Sequence, residues 1–144
     1  MMKIKLLPAL VFVLAMSDAL AGDMVVIGHP GMGKLDVVTV QKIFTGKLIK
    51  VGDIDVKPVN VKPCSLRDRF LQTFLNQNDE KYTAYWTIRH FIGKGAPPLE
   101  LPSSAEVIKF VQSTPGAIGY IDEDDVEPQV SVISRKYDQS SREP

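Results

Sequence analysis

Short β-branched runs and segments of helical period take turns along this chain, and that alternation limits its fold more than any other feature. Met24 to Gly28, "MVVIG", is a compact apolar run of the kind a buried strand shows. "HPGMGK" follows as a loop, because Pro30, Gly31 and Gly33 interrupt any regular pattern. It lacks the glycine spacing and the Gly-Lys-Ser/Thr ending of a phosphate loop. A short helix is expected up to Phe44, capped by Thr39, with Val40, Ile43 and Phe44 on one face and Gly46 just past its end. A turn at Gly52-Asp53 leads to a strand around Val56 to Val61, where Pro58 argues for an edge or a bulge. A helix is expected from Ser65 to Asn76, with Leu66, Phe70 and Phe74 at helical spacing. Asp79 can cap the next helix, which carries Tyr82, Tyr85, Trp86, Arg89 and Ile92 on one face and stops at Gly93. After the proline-rich connection "GKGAPPLELP", Ser103 and Glu106 read as a capping box opening a helix with Val107, Ile108, Phe110 and Val111 on its apolar side. Thr114-Pro115-Gly116 ends it, and strands are expected at Ala117 to Ile121 and Val130 to Ile133, on either side of the acidic turn "DEDD". Strands that alternate with helices in this way imply an α/β domain.

The N-terminus reads as a leader. Met1 to Ala21 has a basic start at Lys3 and Lys5, an apolar stretch from Leu6 to Met16, and an A-x-A cleavage site at Ala19-Leu20-Ala21. The apolar stretch is shorter than the ~20 residues of a spanning helix, so no stable membrane anchor is expected. Three parts follow: a signal peptide over 1–21, one domain over 22–136, and a polar tail over 137–144. Removing Lys3, Lys5 and Asp18 from a balance of 17 basic and 17 acidic residues leaves 15 and 16, a net charge of −1. Such a chain has no global basic field to draw nucleic acid or an anionic membrane. Cys64 is the sole cysteine, so no internal disulfide can hold the fold. A lone cysteine of an exported protein is expected to be buried, where it behaves as a small hydrophobe; exposed, it can link two chains.

Few residues offer chemistry. A cysteine nucleophile needs a base and an orienting group. His29 and His90 can be paired with Cys64, but no motif surrounds it. His29 follows a strand in a loop where ligand contacts are common; its plainer reading is an exposed loop histidine. Asp122 to Asp125 lacks the glycine and closing glutamate of a calcium loop, and reads as a solvated turn. Neither a metal nor a cofactor is expected. Tyr82, Tyr85, Trp86 and Phe91 can stack on a ligand, but at helical spacing they read as core.

"NVKPCSLRDRF", residues 60–70, is different. A strand feeding a helix start brings free backbone N–H groups and the positive dipole end together, and anions bind there. Ser65 can add a hydroxyl, and Lys62, Arg67 and Arg69 can add charge. On the plainer reading Ser65 caps its own helix, with Asp68 in a capping-box role.

Three separated stretches, "LDVVTVQKIFTGKL" (35–48), "VKPVNVKPCSLRDRF" (56–70) and "VIKFVQSTPGAIGYI" (107–121), together with "YW" and "FIGKGAPP" within 85–98, resemble the phosphate-binding solute-binding proteins of ABC transporters, most closely their small single-lobe relatives. The likeness covers roughly residues 24 to 122. It implies one lobe of a type II periplasmic-binding-protein fold, a mixed sheet flanked by helices, without enzymatic activity and with a small anion such as phosphate as ligand. In the two-lobed family the helix start carries Arg-x-Asp-Gly-Ser-Gly-Thr. Matched on Phe70, Cys64 stands at the serine, Ser65 at the glycine and Leu66 at the threonine, with Lys62 at the aspartate and Asn60 at the arginine. The side chains that hold the anion in the family are therefore replaced, and the backbone amides of the helix start carry over. Arg67 matches an arginine common in the small relatives.

The resemblance thus implies an anion site at Cys64, Ser65, Leu66 and Arg67, joined by His29, in a periplasmic protein. A charge-assisted hydrogen bond is worth about 1.5–3 kcal/mol. Losing several of these and a whole lobe implies phosphate affinity no better than about millimolar, since an open helix start desolvates its anion little. Two other readings stand beside it. One lobe of a clamp exposes the face its missing lobe would cover, which makes an envelope interaction module with a protein or transporter partner. A cysteine enzyme would require a depressed thiol pKa at Cys64.

Overall fold

The computed structural model describes residues 23–136. The leader expected over 1–21 and the tail expected over 137–144 lie outside them. The elements run β1 (Met24–Gly28), α1 (Val37–Phe44), β2 (Lys50–Val51), β3 (Ile54–Asp55), β4 (Lys57–Val61), α2 (Ser65–Phe70), α3 (Asp79–Phe91), β5 (Leu99–Leu101), α4 (Ser104–Ser113), β6 (Ala117–Asp122) and β7 (Ser131–Ser134). Five strands form one mixed sheet in the order β5-β4-β6-β1-β7. β4 is parallel to β5 and β6, whereas β1 is antiparallel to β6 and β7. β2 and β3 form a small separate hairpin.

β1 is buried along its whole length and β6 over all but its last residue, which is why both read as unbroken apolar runs. Side chains alternate across β6. Gly119 faces α4, where an added Cβ would lie 2.5 Å from Val107 Cγ1 and 2.9 Å from Val59 Cγ2. Tyr120 faces the opposite layer and stacks on Phe70 of α2 at 3.9 Å, with Phe44 of α1 at 6.0 Å. Helices therefore cover both faces, and the α/β architecture with a mixed, helix-flanked sheet stands as expected.

The helix ends differ in detail. Asp36, not Thr39, caps α1: its carboxylate accepts the Thr39 N–H at 2.7 Å. Asn78, not Asp79, caps α3, accepting from Lys81 N at 2.8 Å. Ser103 caps α4 as its sequence implies, accepting from Glu106 N at 3.3 Å. Ser65 does not cap α2. The extended backbone of a cap residue belongs to Cys64 (φ −169°, ψ 176°), so Ser65 is already helical and the cap makes no side-chain hydrogen bond. The helix expected through Asn76 continues past Phe70 as a π-helical turn, Leu71–Leu75, and ends at Asn76 with φ 53°. That turn keeps Leu71, Phe74 and Leu75 all buried.

Two strand details were not legible. β5 lies inside the proline-rich connection and pairs Leu99, Glu100 and Leu101 with Val59, Asn60 and Val61. It makes β4 an inner strand, which corrects the edge expected from Pro58. The proline is tolerated because Lys57 N–H points to Gly116 O, just before β6, at 2.8 Å, so the N–H missing at Pro58 would point to the other side, where β5 has not yet begun. Cys64 is exposed, not buried. Phe91, expected in the core with the other aromatics, is 89% exposed.

Candidate functional site

β4 and β6 point the same way, so the connection after Val61 leaves the carboxyl end of the sheet and turns into α2 there. Open α/β sheets bind ligands beyond these strand ends. Lys62 N–H donates to Leu101 O at 2.9 Å and fixes the connection against β5. Helix geometry leaves the N–H groups of Ser65, Leu66 and Arg67 without intrahelical acceptors, and Asp68 is the first to be bonded, to Cys64 O at 3.0 Å. At α1, α3 and α4 a capping side chain accepts from such a group; at α2 none does.

The structure gathers Cys64, Ser65, Leu66 and Arg67 at this point but gives them different roles. Cys64 and Ser65 are exposed, while Leu66 and Arg67 are buried. Arg67 turns inward. Its Nε donates to Asp79 at 2.8 Å and its Nη1 to Glu100 at 2.7 Å and to Val61 O at 3.2 Å. Burial works against its charge, but the hydrogen bond to Glu100 and the charge of Asp79 outweigh that, and its pKa lies above the ordinary value. The guanidinium is thus matched by two carboxylates and clamps α2, α3 and β5 together. Its charge is used within the fold, and only its backbone N–H is left without an intrahelical acceptor.

His29 is not brought to this site. It follows β1, whose Gly28 pairs with Ile118, and its N–H donates to Ala117 O at 3.0 Å, at the amino end of β6. Pro58 of β4 is level with Ile118. Cys64 lies six positions beyond Pro58, so roughly 20 Å of extended chain separates the two. His29 Nδ1 is within 3.0 Å of Val111 O, which seats the ring against α4 rather than on a ligand.

Beside α2 lies a buried polar chain that sequence reasoning missed. Asn60 Nδ2 donates to Tyr82 Oη at 3.1 Å, and Tyr120 Oη donates to Asn60 Oδ1 at 3.1 Å. Tyr82 donates in turn to Phe44 O at 2.9 Å, and the Val61 N–H donates to Tyr120 Oη at 3.2 Å. Burial pushes both phenols above the ordinary tyrosine pKa, so they stay protonated as donors. The visible signal was an asparagine inside the apolar run "VNV". A cavity of about 360 Å³ opens next to this chain, between Arg67 and Glu100 on one side and Trp86, His90 and Phe91 on the other. Cys64 does not line it. Among the described residues no group of three or more His, Cys, Asp or Glu side chains can hold a metal ion, and no helix is long and apolar enough to cross a membrane.

Two of the stretches that carry the family resemblance have packing roles. In "IFTGK", Phe44 O accepts from Tyr82 and Trp86, Thr45 O accepts from Tyr85 at 2.6 Å, and a Cβ on Gly46 would lie 2.7 Å from the Trp86 ring. That segment is the seat of α3. In "TPGAIGY", Gly119 lets α4 approach the sheet and Tyr120 joins the polar chain.

No known family model matches the chain, and no curated protein matches it. Solved structures do. An ABC-type phosphate transport receptor from Vibrio cholerae superposes with TM-score 0.61 at 14% identity, over 78% of this chain and 46% of its own. A putative phosphate ABC transporter substrate-binding protein from Clostridium perfringens, with bound phosphate, gives TM-score 0.62 at 21% identity, over 78% and 44%. PstS from Borrelia burgdorferi gives 0.59 at 18%, over 78% and 47%. This chain spans less than half the length of each. The fold is thus that of one portion of phosphate transport-binding proteins, as the sequence motifs imply.

Proposed function

We propose that this chain is a non-enzymatic solute-binding lobe of the envelope, exported to the periplasm, that holds a small anion of the phosphate class weakly at the start of α2. The observation that carries this is the side-chain-free start of that helix, at the carboxyl end of β4, in a fold shared with phosphate-binding proteins. The donors are the backbone N–H groups of Ser65, Leu66 and Arg67, with the exposed Ser65 hydroxyl and the exposed Lys62 ammonium beside them. Asp68 in the first turn opposes a second negative charge, and Arg67 is already matched, so the affinity stays near or below about millimolar, ~4 kcal/mol.

Amide chemical shifts during phosphate titration test this. Shifts that saturate and are confined to residues 64–67 are expected, and no perturbation at about 10 mM phosphate overturns the reading. Ser65→Pro sharpens the experiment. Proline is tolerated at the first helical position and follows the extended Cys64 well, yet it removes one donor N–H. The variant should fold with an unchanged spectrum elsewhere and show a weaker phosphate response.

A further inference from the structure

The cavity of about 360 Å³ beside α2 has a polar end and aromatic walls, and the two suit different parts of one small molecule. Small ligands bind in cavities of this kind, mostly apolar with a few placed polar groups. Asn60, Arg67 and Glu100 form the polar end. The β4–β5 register sets Asn60 level with Glu100, and Arg67 reaches Glu100 from α2. Asn60 and Arg67 are almost wholly buried, so the fold has taken both from water. Tyr82, Trp86 and Phe91 supply the rings.

Hydrogen-bonding capacity is left over at the polar end. Arg67 gives Nε to Asp79 and Nη1 to Val61 O and Glu100, while Nη2 donates to no described residue. Its Cζ lies 5.6 Å from the Tyr82 ring centroid, so the guanidinium rests on a wall of the cavity. Asn60 Nδ2 gives a single hydrogen to Tyr82 and keeps the other. Glu100 accepts from Arg67 through Oε1, and its Oε2 accepts from no described residue. Donors and an acceptor therefore stand side by side.

Charge narrows the ligand. One guanidinium is matched by two carboxylates, Asp79 and Glu100, so this end has no surplus of positive charge. Glu100 would repel a carboxylate or a phosphate, and Arg67 would repel an ammonium. A neutral amide edge, C=O beside N–H, meets both groups. Its carbonyl accepts from Arg67 Nη2 or Asn60 Nδ2, and its N–H donates to Glu100 Oε2. A planar ring carrying that edge also packs against the aromatic walls. Phe91, almost wholly exposed at the end of α3, can turn about its side-chain bonds to cover such a ring.

We propose that this cavity binds a neutral planar heterocycle with a lactam edge, the edge that hypoxanthine or uracil presents. Neither Cys64 nor Ser65 lines the cavity, so the site is separate from the start of α2 and does not rest on anion binding there.

Hypoxanthine is the probe. The side-chain signals of Asn60 and of Trp86, the sole tryptophan, report on the cavity. Titration into the full chain should shift both in a saturable way and leave the amides of residues 64–66 in place. The same base methylated on its lactam nitrogen keeps the ring but loses the donor to Glu100. It should bind at least about tenfold more weakly. Thr87→Phe, at an exposed position on the rim, should leave the circular dichroism unchanged and abolish the shifts by filling the opening. Inorganic phosphate should move neither side-chain signal. No saturable shift, equal binding of the methylated base, or shifts that persist in Thr87→Phe overturns the proposal. Phosphate that displaces hypoxanthine overturns the assignment to a neutral ligand.

Discussion

Arg67 shows how a residue at a proposed binding position can serve the fold instead. Its neighbours in sequence, Leu66 and Asp68, say only that it lies in a first helical turn. Asp79 and Glu100, 12 and 33 positions away, decide what it does. With 4% of its side chain exposed, it joins three elements that have little else in common. Arg67→Met should lower stability by about 2–4 kcal/mol, read from urea unfolding, because it leaves Val61 O and two partly buried carboxylates without their donor. Arg67→Lys should recover less than half of the loss, since one ammonium cannot fork between two carboxylates. Full recovery by lysine would mean that charge alone, not the planar fork, matters there. Serine and cysteine at the α2 start are read the other way round from first expectation. Cys64 holds the cap position without using its sulfur, and Ser65 is free to meet solvent or an anion.

Elements are decided by short-range rules where those rules are strong. α4 has its capping serine where the sequence places it, and β1 and β6 run where apolar runs occur. Asp36 is a missed cap because Asp and Thr can each accept from such a donor, and choosing between them requires the backbone angles. The hydrogen bond from Thr39 holds the Asp36 carboxyl below its ordinary pKa. A depressed carboxylate contributes stability above its unfolded pKa and loses it as pH falls through the folded value, so this share disappears below about pH 4. Asp36→Asn keeps the acceptor, and its melting temperature should therefore fall less steeply than the parent's in that range; parallel acid limbs would show the cap charge to be idle. Gly116 is the opposite case, a position whose neighbours leave no choice. It has φ +80°, and a Cβ there would lie 2.0 Å from Asp55 O, a backbone atom that cannot step aside. Gly116→Ala should cost about 2–4 kcal/mol in thermal or urea unfolding, far more than the same change at Gly52, where a Cβ would meet open space.

At the scale of the whole molecule, the chain keeps the sheet and both helix layers within less than half the length of the phosphate-binding structures it resembles. The α2 start, the proposed anion site, keeps a cap without a side-chain hydrogen bond at the carboxyl end of β4. Among the described residues the most exposed large apolar side chain, Phe91, lies elsewhere, at the end of α3.

By itself, the sequence determined the alternation of strands and helices, the two buried strands, the α4 cap and the motifs by which the fold is recognised. Each of these depends on neighbours within a turn of helix or along one strand. Only the tertiary structure decided that three residues of a proline-rich link become β5, that Asn60 connects two tyrosines, that His29 lies at the far end of the sheet, and that Arg67 faces inward while Phe91 faces out. Each of those depends on a partner many positions away, and residue period carries no record of which distant partner a side chain will meet.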